Sequence, residues 1–207
     1  MRAKICGLTD EEAVRVAVNA GAAYVGFNFF PKSPRYVAPD AARALAKAAD
    51  GVVRVALAVN PDDSLLGAIA GLPMDMIQLH GSETPARVAE VKARTGLEVM
   101  KVIGVADPSD VDSIAAYEAV ADQIMIDAKP PKGAVLPGGN GVAFDWRLLQ
   151  GRDWSTPWML AGGLTPENVA EAGRLTGADQ VDVASGVECA PGVKDPELVR
   201  AFIRAAL

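Results

Sequence analysis

Along this chain a short apolar run is followed by a stretch with helical periodicity, and the pair recurs eight times from end to end. No other feature restricts the fold as much. A helix inserted between two strands carries the chain back to its starting edge, so consecutive strands must lie parallel. Strands are expected over 3–6, 24–28, 52–59, 76–79, 98–103, 123–126, 158–161 and 180–183. Helices are expected over 9–18 and 39–49, after the Asn60-Pro61-Asp62-Asp63 turn as far as 69, and after Glu83 as far as 94. Further helices are expected from Asp107-Pro108 to 117, briefly over 144–150, over 166–175, and from Asp195 to the C-terminus. Two of the starts carry capping signals. Thr9 stands three residues before Glu12, the spacing of a capping box, and Thr165 precedes a proline suited to the first helical position.

Eight such units match a closed, single-domain (β/α)8 barrel of the TIM-barrel class over 1–207. The chain is shorter than the roughly 250 residues usual for that class, so its connections must be lean. The exception is 128–141, rich in glycine and proline and long enough to be expected to serve function. An open doubly wound sheet would need fewer units, and no Gly-x-Gly-x-x-Gly turn follows the first strand.

Half of the residues are hydrophobic and 22% are charged, the balance of a globular chain. A net charge of -6 argues against nucleic acid or an anionic membrane surface as partner. The N-terminus has no long apolar region, so a secretory signal is not expected, and no apolar run is long enough to span a bilayer. Cys6 and Cys189 show neither a disulfide framework nor metal-ligand spacing, and one histidine cannot build a multi-histidine metal site. The expected setting is a reducing cytoplasm. Monomer and homodimer are both compatible with the sequence.

In a β/α barrel the chemistry collects at the carboxyl ends of the strands. There the sequence places Cys6, Asn28, Asn60, His80, Asp127, Gly163 and the pair Asp182 and Ser185. Gly162 and Gly163 after the seventh strand, and Ser185 and Gly186 after the eighth, form two turns whose amides can cradle a phosphate. Cys6 is a candidate base or nucleophile, although a lone cysteine is more often a small buried filler. Asp127 ends an otherwise apolar strand and is a candidate acid, or a cap of the turn that follows. Lys129 and Lys132 could lower its pKa or offset substrate charge. Arg35, in a loop of aromatics and prolines, suits a carboxylate in bidentate fashion, or stacks in solvent on Tyr36. Phe29, Phe30 or Tyr36 could wall an aromatic ring. His80 can contact a ligand or be a satisfied structural histidine. Asp182 can bind a sugar hydroxyl, orient Lys101 or Arg35, or be a buried acid held by amides. Lys101 can line the lumen beside a carboxylate or reach solvent at the bottom of the barrel.

These strand-end residues stand in segments similar to a known family. Lys4-Ile5-Cys6-Gly7-Leu8-Thr9, the run from Gly26 through Ser33-Pro34-Arg35-Tyr36, and Gln78-Leu79-His80-Gly81-Ser82-Glu83 are the first of them. Ile126-Asp127, Gly138-Gly139-Asn140-Gly141 with Phe144-Asp145-Trp146, Leu160-Ala161-Gly162-Gly163-Leu164, and Val181 through Glu188 follow in order. Over its whole length the chain resembles the N-(5'-phosphoribosyl)anthranilate isomerase family. The resemblance implies an Amadori rearrangement of a phosphoribosyl aminobenzoate, with Cys6 as general base and Asp127 as general acid. It further implies that Arg35 binds the anthranilate carboxylate, that Asp182 contacts the ribose hydroxyls and that His80 lies near the pocket. Gly162, Gly163, Ser185 and Gly186 would hold the phosphate. No cofactor or metal is implied, because the nitrogen of the substrate is the electron sink. One departure is that many members carry serine or threonine and then lysine where this chain has Asn140 and Val142, with Lys129 or Lys132 as substitutes. A non-catalytic binder of phosphorylated metabolites, and an isomerase that also takes a histidine-pathway aminoaldose phosphate, are the alternatives.

Overall fold

The computed structural model describes residues 1–129, 133, 138, 139, 141 and 143–207. Its strands are β1 (Arg2–Cys6), β2 (Tyr24–Asn28), β3 (Val53–Ala58), β4 (Met76–Leu79), β5 (Glu98–Val105), β6 (Gln123–Ala128), β7 (Trp158–Leu160) and β8 (Gln180–Val183). Each pairs in parallel with the next, and β1 pairs with β8, so the sheet closes into the eight-stranded barrel that the alternation predicts. The helices are α1 (Glu11–Ala20), α2 (Pro39–Ala48), α3 (Asp63–Ala70), α4 (Pro85–Thr95), α5 (Pro108–Asp112), α6 (Ile114–Glu118), α7 (Val169–Thr176) and α8 (Pro196–Ala206).

Several boundaries differ from those read along the chain. The first helix is capped by Asp10, whose carboxylate accepts from the Ala13 amide at 2.8 Å, while the Thr9 hydroxyl turns away to the Gly192 carbonyl. The single helix expected up to 117 is two, because Ser113 bonds back to the Asp110 carbonyl and tightens the chain between them. Before β7 a 3₁₀ turn, Trp146–Leu149, replaces the expected short helix. The helix after β7 starts at Val169, three residues beyond Pro166. Glu188–Ala190 and Val193–Lys194, expected as loop, pair antiparallel as a small ribbon of β9 and β10.

Two cores follow from the period of two along each strand. Residues facing the lumen, among them Tyr24, Val55, Met76, Met100, Met125 and Met159, make one cluster. The intervening ones, such as Ile5, Val25, Ile77 and Ile103, pack on the helices. The amino-terminal end of the lumen is closed by Tyr24, whose hydroxyl donates to Gln180 Oε1 at 2.6 Å, and by Gln123, which donates to the same oxygen. Lys101 belongs to neither of its expected places. Its neighbours Met100 and Val102 face the lumen, so it faces outward, where Nζ meets Glu83 Oε2 at 2.7 Å and the Gly81 carbonyl at 2.7 Å.

Candidate active site

Alternation along the strands carries the polar residues of the carboxyl ends inward. A cavity of about 470 Å³ there is lined by Cys6, Asn28, Arg35, Gln78, His80, Asp127 and Asp182. A second, of about 440 Å³, is lined by Gly162, Gly163 and Leu164 after β7 and by Ala184, Ser185 and Gly186 after β8. The two share Asp127, Gly138, Gly139, Asp182 and Ala184, so they are two halves of one site. All nine residues singled out along the chain for catalysis, substrate and phosphate therefore meet at one end of the barrel. Asn60 stands at the same end but lines neither cavity; its side-chain oxygen accepts from the Ser82 amide, a structural role.

Cys6 is buried, 5% exposed. Burial pushes its thiol up, because a thiolate loses its hydration there. The Lys4 ammonium opposes that rise, the Asp182 carboxylate adds to it, and the Lys194 charge opposes it more weakly than Lys4. Gly26 on β2 leaves room for the thiol: a Cβ at that position would stand 2.9 Å from Sγ.

Asp127 uses Oδ1 to accept from the amide of Ala128 at 2.7 Å, and its Oδ2 lies 3.3 Å from Nε2 of His80. The His80 Nδ1 is in turn 3.4 Å from the side-chain Nε2 of Gln78. His80 is thus a partner of the carboxyl group as well as a wall of the cavity. Gly162, at φ 87°, packs so close that a Cβ would meet Asp127 Oδ1 at 3.0 Å and the Ala128 nitrogen at 2.6 Å.

Arg35 is neither solvated nor stacked on Tyr36. Its Nε and Nη2 engage both oxygens of Glu188, at 2.7 and 2.8 Å, which leaves Nη1 for the cavity beside Gly139. The bidentate partner is therefore a residue of the protein. Of the three aromatics, Phe30 lines the cavity, Phe29 lies in the outer core and Tyr36 is exposed. Asn28 shapes this loop by accepting from the Phe30 amide and donating to the Ser33 hydroxyl. Asp182 orients neither Lys101 nor Arg35; its Oδ1 accepts from the wholly buried Lys4 at 2.7 Å.

The turn after β7 is held by a residue that sequence reasoning passed over. Asn168 donates to the Gly163 carbonyl at 3.0 Å and accepts from the Thr165 amide at 2.8 Å, which orients the peptides of the turn. Its place three residues after Thr165 was the available signal. Lys129 borders the phosphate half, but its ammonium pairs with Asp110 at 2.6 Å. Lys132, Asn140 and Val142 lie outside the described residues. Among the described residues no three His, Cys, Asp or Glu side chains cluster to hold a metal ion, and no helix is long and apolar enough to cross a membrane.

Comparison with known proteins gives a concordant result. The sequence model of the family described as N-(5'phosphoribosyl)anthranilate (PRA) isomerase matches residues 3–205. An N-(5'-phosphoribosyl)anthranilate isomerase of Paracoccus denitrificans is 66% identical over 205 residues, 98% of this chain and 95% of that protein. The crystal structure of phosphoribosyl anthranilate isomerase from Thermotoga maritima superposes with a TM-score of 0.90 at 35% identity, covering 100% of this chain and 98% of the other. A crystal structure of a phosphoribosyl anthranilate isomerase in complex with reduced 1-(o-carboxyphenylamino)-1-deoxyribulose 5-phosphate gives 0.87 at 34% identity, with coverage of 100% and 98%.

Proposed function

The chain belongs to the N-(5'-phosphoribosyl)anthranilate isomerase family, and from that membership we propose how its pocket carries out the reaction. The enzyme converts N-(5-phosphoribosyl)anthranilate to 1-(2-carboxyphenylamino)-1-deoxyribulose 5-phosphate, an aldose–ketose isomerisation of tryptophan biosynthesis. In our reading the phosphate sits against the amides of Gly162, Gly163, Ser185 and Gly186, and the anthranilate ring occupies the half lined by Phe30 and Arg35. Arg35 offers Nη1 to the carboxylate, its guanidinium already fixed by Glu188, so little side-chain entropy is lost on binding. The second oxygen of Asp182 takes a ribose hydroxyl.

Asp127 gives a proton to the furanose oxygen as the C1'–O bond breaks, leaving a protonated Schiff base. Cys6, as thiolate, takes the proton from C2'; the electrons of that bond flow to the iminium nitrogen and an enolamine forms. Tautomerisation yields the ketose. One proton enters at the ring oxygen and one leaves at C2', so product and substrate have the same composition. The pair is reset when a proton passes from Cys6 back to Asp127 through solvent. The positive iminium beside Cys6 favours the thiolate at the moment it is used. A reducing cytoplasm fits a base that must stay an unbridged thiol, as both cysteines are.

The observation that carries this reading is that Cys6 and Asp127 line one cavity continuous with the two glycine- and serine-containing turns. Cys6→Ala and Asp127→Asn are each expected to lower kcat by about 10²–10⁴-fold, with substrate affinity far less changed, in a fluorescence assay of turnover. Near-normal turnover in both variants would remove the acid–base assignment, and a wild type that binds product without turning over substrate would be a binder.

A further inference from the structure

Five charged side chains surround Cys6, and their charges do not cancel. Lys4 and Cys6 are two apart on β1, so both face the lumen. A Cβ on Gly26 would lie 2.9 Å from Sγ of Cys6 and 3.3 Å from Nζ of Lys4, which puts the thiol and the ammonium on either side of one small gap. The same Nζ donates to Asp182 Oδ1 at 2.7 Å. On the other side, Arg35 and Lys194 share Glu188, with Lys194 Nζ 2.7 Å from Oε1 and Arg35 Nε 2.7 Å from the same oxygen. Lys194 also donates to the carbonyl of Ala184, which lines the cavity together with Cys6. No side chain of the five is more than 10% exposed. Asp127 faces this group from across the cavity, its Oδ2 3.3 Å from His80 Nε2, and in the role of acid proposed above it carries a proton and adds no charge to the count.

Three cations thus stand against two carboxylates around one thiol. An unbalanced charge held out of water is costly, and it is the more costly the better it is buried. A thiol leaves the imbalance; a thiolate closes it. We propose that Lys4 and Lys194 are the counter-ions of the Cys6 thiolate, positioning residues that act on the base through their charge and do not touch the substrate. The inference rests on the reading of Cys6 as general base. Burial and Asp182 push the thiol up, and the two ammonium groups oppose that rise without reversing it, so removing either is expected to push the thiol higher still. The cost of keeping the cations falls on Lys194, whose own ammonium burial pulls down. Lys4 escapes that cost, since Asp182 and Cys6 outweigh its burial and hold it above the ordinary lysine value.

The test uses a Cys189→Ser background, which removes the exposed thiol. Alkylation of Cys6 by iodoacetamide is followed against pH, together with the acid limb of kcat/KM. In Lys194→Met and Lys4→Met the alkylation midpoint is expected to rise by about one unit, slowing the reaction at neutral pH about tenfold. Lys194→Arg keeps the charge and is expected to keep the parent midpoint. Parent midpoints in both methionine variants overturn the proposal. If Lys4→Met does not fold, Lys194→Met decides alone, because its residue sits on a two-residue strand outside the barrel. Alkylation that leaves turnover intact would sink the general-base reading instead, and the midpoints would still decide whether the lysines act on the thiol.

Discussion

At the scale of single residues, the proposed acid and base are marked along the chain and the groups that hold the site together are not. Cys6 and Asp127 stand out because each is polar at the end of an apolar run. Glu188 carries no such mark, since the Arg35 it fixes is 153 positions away. Lys4, inside the first apolar run, pairs with Asp182 across 178 positions. Such partners are chosen by folding, which brings together charges that have no relation in sequence. Glu188 also gives the site a pH dependence. Burial pushes its carboxyl up, but Arg35 and Lys194 more than offset that and hold it below the usual carboxylate range. A depressed value means that its ion pairs stabilise the fold above the ordinary pKa of about 4.3 and cease to do so as pH falls through the lower folded value. Glu188→Gln is expected to be less stable by about 3 kcal/mol in urea at neutral pH, because it strands two buried cations. The difference from wild type is expected to shrink as pH falls below the unfolded carboxylate value of about 4.3 and to close only once the pH has passed the lower folded value.

At the scale of elements, strand positions and most helix starts were legible to within a residue or two, while the residues that cap the helices were less so. Apolar runs declare a strand by themselves. A helix start is a competition among neighbouring caps: Thr9 lost it to Asp10, whereas the Thr165 hydroxyl accepts from the Glu167 amide at 3.3 Å in a turn that Asn168 also holds. At the second site the outcome has a functional side, because Asn168 orients the peptides that line the phosphate half of the site. Asn168→Ala removes two hydrogen bonds, each worth about 1 kcal/mol. Weaker competitive inhibition by inorganic phosphate, by about tenfold, is expected, together with a higher KM and a kcat changed much less. An unchanged inhibition constant would show that the turn holds its shape without the clamp. The β9–β10 ribbon was invisible for another reason: five residues in two strands are too few to show a period.

At the scale of the whole molecule, closure of the sheet is what makes a site of these parts. Where β8 meets β1, Lys4 is the register partner of Asp182, so the last seam of the barrel and the ion pair beneath the thiol form together. Outside the barrel α8 packs on α1 and α7, with Phe202 wholly buried. Phe202→Ala is expected to cost about 3–5 kcal/mol in denaturant unfolding while leaving kcat near wild type at temperatures where the variant is folded, since the ring lies on the helix side of the sheet. A large loss of kcat in the folded variant would mean that the helical layer also tunes the pocket. The barrel itself, its polar rim, and the places of Cys6, Asp127 and the two glycine- and serine-containing turns were determined by the sequence, because each depends on local periodicity or on a residue type at a strand end. Only the tertiary structure decided that Arg35 is held by Glu188, that Lys4 and not Lys101 enters the lumen, and that three cations and two carboxylates enclose Cys6. Those outcomes depend on which charges burial forces to share one space, and no stretch of chain contains that information on its own.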